Sequence, residues 1–285
     1  MKPMFSIITV SLNPGEKLFE TLESIRKQTC TDYEIVIKDG GSRDGSMEKL
    51  QSYLEQPENT EFAGRIRVFR EPDKSIYEGM NQAVVYAEGN YYYFLNCGDS
   101  FYDEKVLEQL KAAITENVSC DGRTDEADTG KGRIFYGDQY DMLQHTVVAS
   151  NPHMDAFACY RNVPCHQVCI YGAELFAERG YNPVYKVRGD YEHFLWCFFE
   201  KKVQPVYVPV VMANYEGGGF SETPANRRRS AAEHKEITAL YMSRGQRFKY
   251  RMILWMTLAP LRTFMAHNPV FSGVYNKCKS LLYRH

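Results

Sequence analysis

The chain has 285 residues, 44% of them hydrophobic and 25% charged, with a formal net charge of −2 at pH 7. That length suits one large domain, or one domain with an appendage, with a sizeable core, and excludes a small module stapled by disulfides. The near-zero total hides a polarised chain: residues 227–285 hold 12 Lys and Arg against 2 Asp and Glu, a net +10, which leaves −12 upstream.

Eight cysteines without regular spacing, and no basic start leading into an apolar core and a cleavage site, predict a reducing, cytosolic compartment without disulfides. The group Cys159, Cys165, His166 and Cys169 lacks the paired short spacing of zinc ligands.

In chain order, residues 5–11 read as a strand buried on both faces, followed by a turn at Asn13-Pro14-Gly15 and a helical pattern to about Gln28. A strand at 33–38, a helix at 46–54, a strand at 66–70, a helix through Asn81 to Ala87 and a strand at 91–95 follow. This alternation predicts parallel strands covered by helices. A helix near 103–116 comes next, then a polar loop at 121–131, strands at 133–138 and 144–148, helices near 172–179 and 190–201, and a strand at 206–211. No Pro-rich or Ser-rich linker separates independent domains.

Two acidic turns follow apolar strands. One is Lys38-Asp39-Gly40-Gly41-Ser42-Arg43-Asp44-Gly45-Ser46; the other is Asn96-Cys97-Gly98-Asp99 after Tyr91 to Leu95. Open α/β sheets bind ligands at such strand ends. The chain has neither G-x-x-x-x-G-K-[ST] nor G-x-G-x-x-G after its first strand, so a nucleotide diphosphate must be held through a metal, with Asp99 as anchor.

Ser6 to Val10 with Asn13, Asp39-Gly40-Gly41-Ser42, the stretch Glu71 to Asn81, Phe94 to Asp99, and Gly189-Asp190-Tyr191-Glu192 together resemble the family 2 glycosyltransferases. The resemblance spans about residues 4–221. It implies an inverting enzyme with the GT-A fold, a mixed central sheet flanked by helices, divided into a nucleotide-binding half (1–100) and an acceptor-binding half (101–225). It further implies a UDP-sugar donor, Mg²⁺ or Mn²⁺, and a glycan or lipid-linked acceptor of the colanic-acid or capsule type. No Q-x-x-R-W is present, so a single transfer is expected rather than processive synthesis.

Carried onto this chain, the family's roles give the following expectations. Thr9, Ser11, Asn13, Asp39 and Ser42 line the nucleoside pocket, with Asp39 accepting from the uracil imide. Asp73, Tyr77 and Asn81 face the donor, the last two one helical turn apart. Asn96 and Gly98 occupy positions where the family usually keeps aspartates, so Asp99 alone holds the metal and metal affinity depends on the nucleotide. Asp190, at the start of a helix with Phe194, Leu195 and Phe198 on its apolar side, is the catalytic base; as a mere helix cap it would leave Glu192 or His193 exposed. His166 and Gln167 contact the acceptor, and Gly218 and Gly219 belong to a loop that closes on the substrate.

Residues 226–285 read as a basic helical extension in which Phe248, Trp255 and Phe264 alternate with arginines and lysines. No stretch there is long and charge-free enough to span a bilayer. Two readings stay open: peripheral contact of 245–285 with the inner face of the cytoplasmic membrane, or packing on the catalytic domain or a twin subunit as a homodimer. No nucleic-acid partner is expected. A non-catalytic nucleotide-sugar-binding or membrane-docking protein of the same fold is the alternative to an enzyme.

Overall fold

The computed structural model describes residues 2–120, 133–217, 223–257, 268 and 273. Strands β1 (Phe5–Ser11) and β2 (Tyr33–Asp39) are buried at every residue. Segments apolar on both faces belong in the middle of a sheet that is covered on both sides. β3 (Ile66–Arg70) pairs in parallel outside β2, and β4 (Tyr91–Phe94) pairs in parallel on the other side of β1. Helices make the crossovers: α1 (Lys17–Arg26), α2 (Ser46–Leu54) with the short α3 (Thr60–Ala63), and α4 (Ile76–Val84). The Ser75 hydroxyl caps α4 by accepting from the Glu78 amide, so this helix starts well before Asn81, and it buries Tyr77, Met80 and Ala83 at three-residue spacing.

The second half contains β5 (Ser100–Phe101), α5 (Val106–Cys120), β6 (Ile134–Asp141), β7 (Thr146–Val148), α6 (Ala156–Arg161), β8 (Cys169–Gly172), α7 (Ala173–Glu178), α8 (Gly189–Phe199), β9 (Val206–Tyr215), α9 (Pro224–Tyr241) and α10 (Arg244–Met256). The sheet order is β3-β2-β1-β4-β8-β6-β9-β5, with β7 on β6. β8 runs antiparallel to both β4 and β6, so the sheet is mixed, whereas alternation alone predicted parallel strands. The sequence reading missed β8 and α6. β8 is four buried residues, Cys-Ile-Tyr-Gly, with no alternation to read.

Successive residues of the central strands feed opposite layers, as a period of two requires. Ile7, Ile35 and Tyr93 pack with Leu18, Leu22 and Leu107 on one side; Ile8, Val36 and Phe94 pack with Met80, Phe176 and Phe194 on the other. α9 is built into this body. The buried Glu233 accepts from the amides of Lys186, Val187 and Arg188 at 2.9, 3.0 and 2.9 Å, which fixes the loop leading into α8.

Candidate active site

β1, β2 and β4 are parallel and end on one edge of the sheet. After β4 the chain turns tightly: the Asp99 amide donates to the Asn96 carbonyl at 2.9 Å, and Gly98 sits at φ +96°, a conformation that side chains disfavour. The fully buried Thr21 of α1 anchors the turn. Its hydroxyl accepts from the Gly98 amide at 3.0 Å and lies 2.8 Å from the Asp99 carbonyl. Sequence reasoning missed Thr21; the available signal was a hydroxyl on the buried stripe of Leu18, Leu22 and Ile25.

The turn opens on a cavity of about 850 Å³. Tyr77, Asn96, Gly98, Asp99, His166, Gln167 and Asp190 all line it, drawn from α4, the β4 turn, the loop before β8, and α8. Lys17, which the sequence reading did not single out, lines it too, ion-paired at 2.5 Å with Glu216 beyond β9.

A chain of polar contacts runs across the floor. The Tyr77 hydroxyl lies 2.9 Å from Asp190 Oδ1, which also accepts from the Tyr191 amide at 2.8 Å. His166 Nδ1 is 3.5 Å from Asp190 Oδ2, and its Nε2 is 2.9 Å from the Asn96 amide nitrogen. An amide nitrogen only donates, so Nε2 is the acceptor and the ring proton of neutral His166 faces Asp190.

Burial works against charge on Asp190, but the His166 contact, the Tyr191 amide and the Tyr77 hydroxyl outweigh it and hold the carboxyl below its ordinary value. Burial likewise opposes charge on His166, and the Asp190 and Asp99 carboxylates outweigh it, raising the imidazole. Asp99 goes the other way: burial pushes it up to about 6, against the pull of His166 and a hydrogen bond with Gln167. The cleft thiols Cys97 and Cys165 are pushed by burial to about 12 and stay protonated.

Among the described residues no three His, Cys, Asp or Glu gather as a metal cage. Asn96 Oδ1, however, is buried with no hydrogen-bond partner beside the Asp99 turn. One carboxylate and one orphan amide oxygen are hard donors that fit Mg²⁺ or Mn²⁺, which would take its remaining ligands from a diphosphate and water.

A second predicted group does not line the cavity. Asp39 is fully buried: Oδ2 accepts from the Gly41 and Ser42 amides at 3.0 and 2.9 Å and is ion-paired with Arg70 Nε at 3.2 Å, while Oδ1 faces the hydroxyls of Ser11 and Ser42. The Ser42 hydroxyl accepts from the Asn13 amide at 2.7 Å, and the buried Thr9 hydroxyl donates to the Leu95 carbonyl at 2.8 Å. These residues knit the strand ends to one another. Asp73 is ion-paired with the buried Lys38, whose place in an apolar strand was its unread signal.

Tyr77 lines the cavity, whereas Asn81, one helical turn on, exchanges hydrogen bonds of 2.7 and 2.8 Å with the Tyr181 backbone. Glu192 and His193 are buried rather than exposed, Glu192 against Arg179 and His193 against the Arg179 carbonyl. Gly218 and Gly219 lie outside the described residues.

The profile described as "Glycosyl transferase family 2" matches residues 6–172. This chain belongs to glycosyl transferase family 2. The family member is 32% identical over 223 residues to a PGL/p-HBAD biosynthesis glycosyltransferase of Mycobacterium bovis BCG, covering 78% of this chain and 80% of that one. It is 30% identical over 110 residues to the putative teichuronic acid biosynthesis glycosyltransferase TuaG of Bacillus subtilis, covering 39% and 42%. Among solved structures, S. aureus TarS 1–349 in complex with UDP-GlcNAc superposes with a TM-score of 0.61 at 15% identity, over 87% of this chain and 70% of that one. A mannosyltransferase from Pyrobaculum calidifontis in complex with GDP-Man and Mn²⁺ gives 0.55 at 12% identity, over 99% and 87%. At such identities the likeness shows the fold alone, and that fold is GT-A.

Proposed function

We propose that this family 2 glycosyltransferase moves a hexose or N-acetylhexosamine from a UDP-sugar to a hydroxyl of a glycan or lipid-linked acceptor, in single transfers and with inversion. The observation that carries the reading is that Asp99 and Asp190 line one cavity, with the fold favouring ionisation of Asp190 and opposing it at Asp99. A carboxylate kept ionised suits a base, and one whose charge burial disfavours suits a site completed by a cation. UDP-GlcNAc bound in TarS and the biosynthetic roles named for the relatives support a sugar-nucleotide donor.

In this reading Asp190 takes the proton of the acceptor hydroxyl as that oxygen bonds to the anomeric carbon. The bond from that carbon to the UDP oxygen breaks, and its electron pair leaves on the diphosphate. Attack opposite the leaving group inverts the configuration. Tyr77 and the Tyr191 amide hold the Asp190 carboxylate in place, and His166 with Gln167 orients the acceptor. Asp99 and Asn96 Oδ1 would hold Mg²⁺ or Mn²⁺, whose chemistry is to neutralise charge on the departing diphosphate. Thr9, Ser11, Asn13, Asp39, Ser42 and Asp73 serve the nucleoside, which requires the Arg70 or Ser11 contact to Asp39 to give way to the uracil imide. Gly218 and Gly219 belong to the substrate loop.

A screen of UDP-sugars against glycan and lipid-linked acceptors, read by intact mass, tests this. Asp190→Asn is expected to lower turnover roughly 100- to 10,000-fold while UDP affinity stays close to that of the wild type. Turnover by the variant within about ten-fold of wild type would overturn the assignment of the base.

A further inference from the structure

Helix α10 is docked along one side and bare along the other. Tyr250 is buried with its ring centre 5.4 Å from those of Phe157 and Tyr160 on α6, and Ile253 packs against the same core. On the far side Phe248, Met252, Trp255 and Met256 are 58%, 36%, 70% and 63% exposed. Spacings of four, three and one residues bring them into a single stripe on a helix. Arg244 and Arg251 border the stripe on one side and Lys249 on the other, and the Arg251 guanidinium lies 5.9 Å from the centre of the Phe248 ring. α10 carries no Asp or Glu, and none occurs from Ile237 to the end of the sequence. Among the described residues none of these three cations is ion-paired.

We propose that this face of α10 docks the protein on an anionic lipid surface, with Phe248, Met252 and Trp255 at the boundary between headgroups and acyl chains and Arg244, Lys249 and Arg251 on lipid phosphates. Charge selects the occupant. Two-fold pairing with a second copy sets cations against cations, because the face offers no carboxylate. The chain beyond α10 is also cationic and acid-free, so it gives the face no charge complement. No helix among the described residues is long and apolar enough to cross a membrane, so the contact is peripheral. α10 rests on α6, whose last residue, Arg161, lines the cavity, so docking sets the cavity close to the lipid surface.

Co-sedimentation of the full chain with phosphatidylcholine vesicles, with and without about 30% phosphatidylglycerol, tests this. The wild type is expected to bind the anionic vesicles and to be released by about 0.5 M NaCl. Phe248→Ser with Trp255→Ser, and separately Lys249→Glu with Arg251→Glu, are each expected to weaken partitioning roughly ten-fold or more. Circular dichroism melts matching the wild type show that the variants fold. Wild type that stays in the supernatant, wild type equally bound to neutral vesicles, or variants that partition like it would each overturn the proposal. So would a concentration-dependent dimer, seen by sedimentation velocity, that the same substitutions abolish.

Discussion

Asp99 and Asp190 share a cavity, yet a proton distinguishes them. Asp99, pushed up to about 6 by burial, binds its proton more tightly in the folded chain than in the unfolded one. Stability from this group is therefore full at low pH and is lost as pH rises through 6. Asp99→Asn should raise stability at pH 8 by about 1 to 2 kcal/mol and change it little at about pH 3.5, below the ordinary carboxylate value, as thermal melts at the two values will report. Asp190 has the opposite sign: its ionised form is favoured by the fold, so it remains a carboxylate throughout the range in which Asp99 titrates. Cation binding through Asp99 should weaken as pH falls through 6, with Asp190 still charged.

At the scale of elements, Asp190, the proposed base, is positioned by the contact between α4 and α8. A Cβ on Gly189 would lie 2.8 Å from the Tyr77 ring, whose hydroxyl meets Asp190. The ring is fixed by its contacts with Val187 and Tyr181, so it cannot swing aside. Gly189→Ala should destabilise the protein by about 1–3 kcal/mol and lower turnover by displacing Asp190. Gly245→Ala, where an added Cβ on α10 would meet only the Ser243 hydroxyl at 4.0 Å, should stabilise it by about 0.5 kcal/mol. Denaturant melts of the two variants should differ in sign. Equal destabilisation would count against the close α4–α8 contact as the governing feature.

The whole molecule brings one carboxylate and one unpartnered amide oxygen to the proposed cation site, where the remaining ligands would come from a substrate. Calorimetric titration with Mn²⁺ should give weak binding to the free protein and at least about ten-fold tighter binding with UDP present. Tight binding without UDP would contradict this.

Much of this assembly was legible beforehand. Largely apolar strands flanked by helical periodicity announced β1 to β4 and the crossovers, because burial of the central strands on both faces writes a local pattern. The cavity residues Asn96, Gly98, Asp99, His166, Gln167 and Asp190 were likewise recognisable from their motifs. β8 was not legible, being four residues that pair with β4 and β6 from far away in sequence. The roles of Lys38 and Thr21 and the Asn81 contact with Tyr181 were also hidden, since each depends on a partner from another element. Sequence by itself determined the family, the strand ends and the chemistry-bearing side chains, because propensity, periodicity and motif are local. Tertiary structure alone decided which carboxylates share a cavity, which belong to the scaffold and how readily each ionises, because burial and hydrogen bonding depend on residues far apart in sequence, 113 positions for Tyr77 and Asp190.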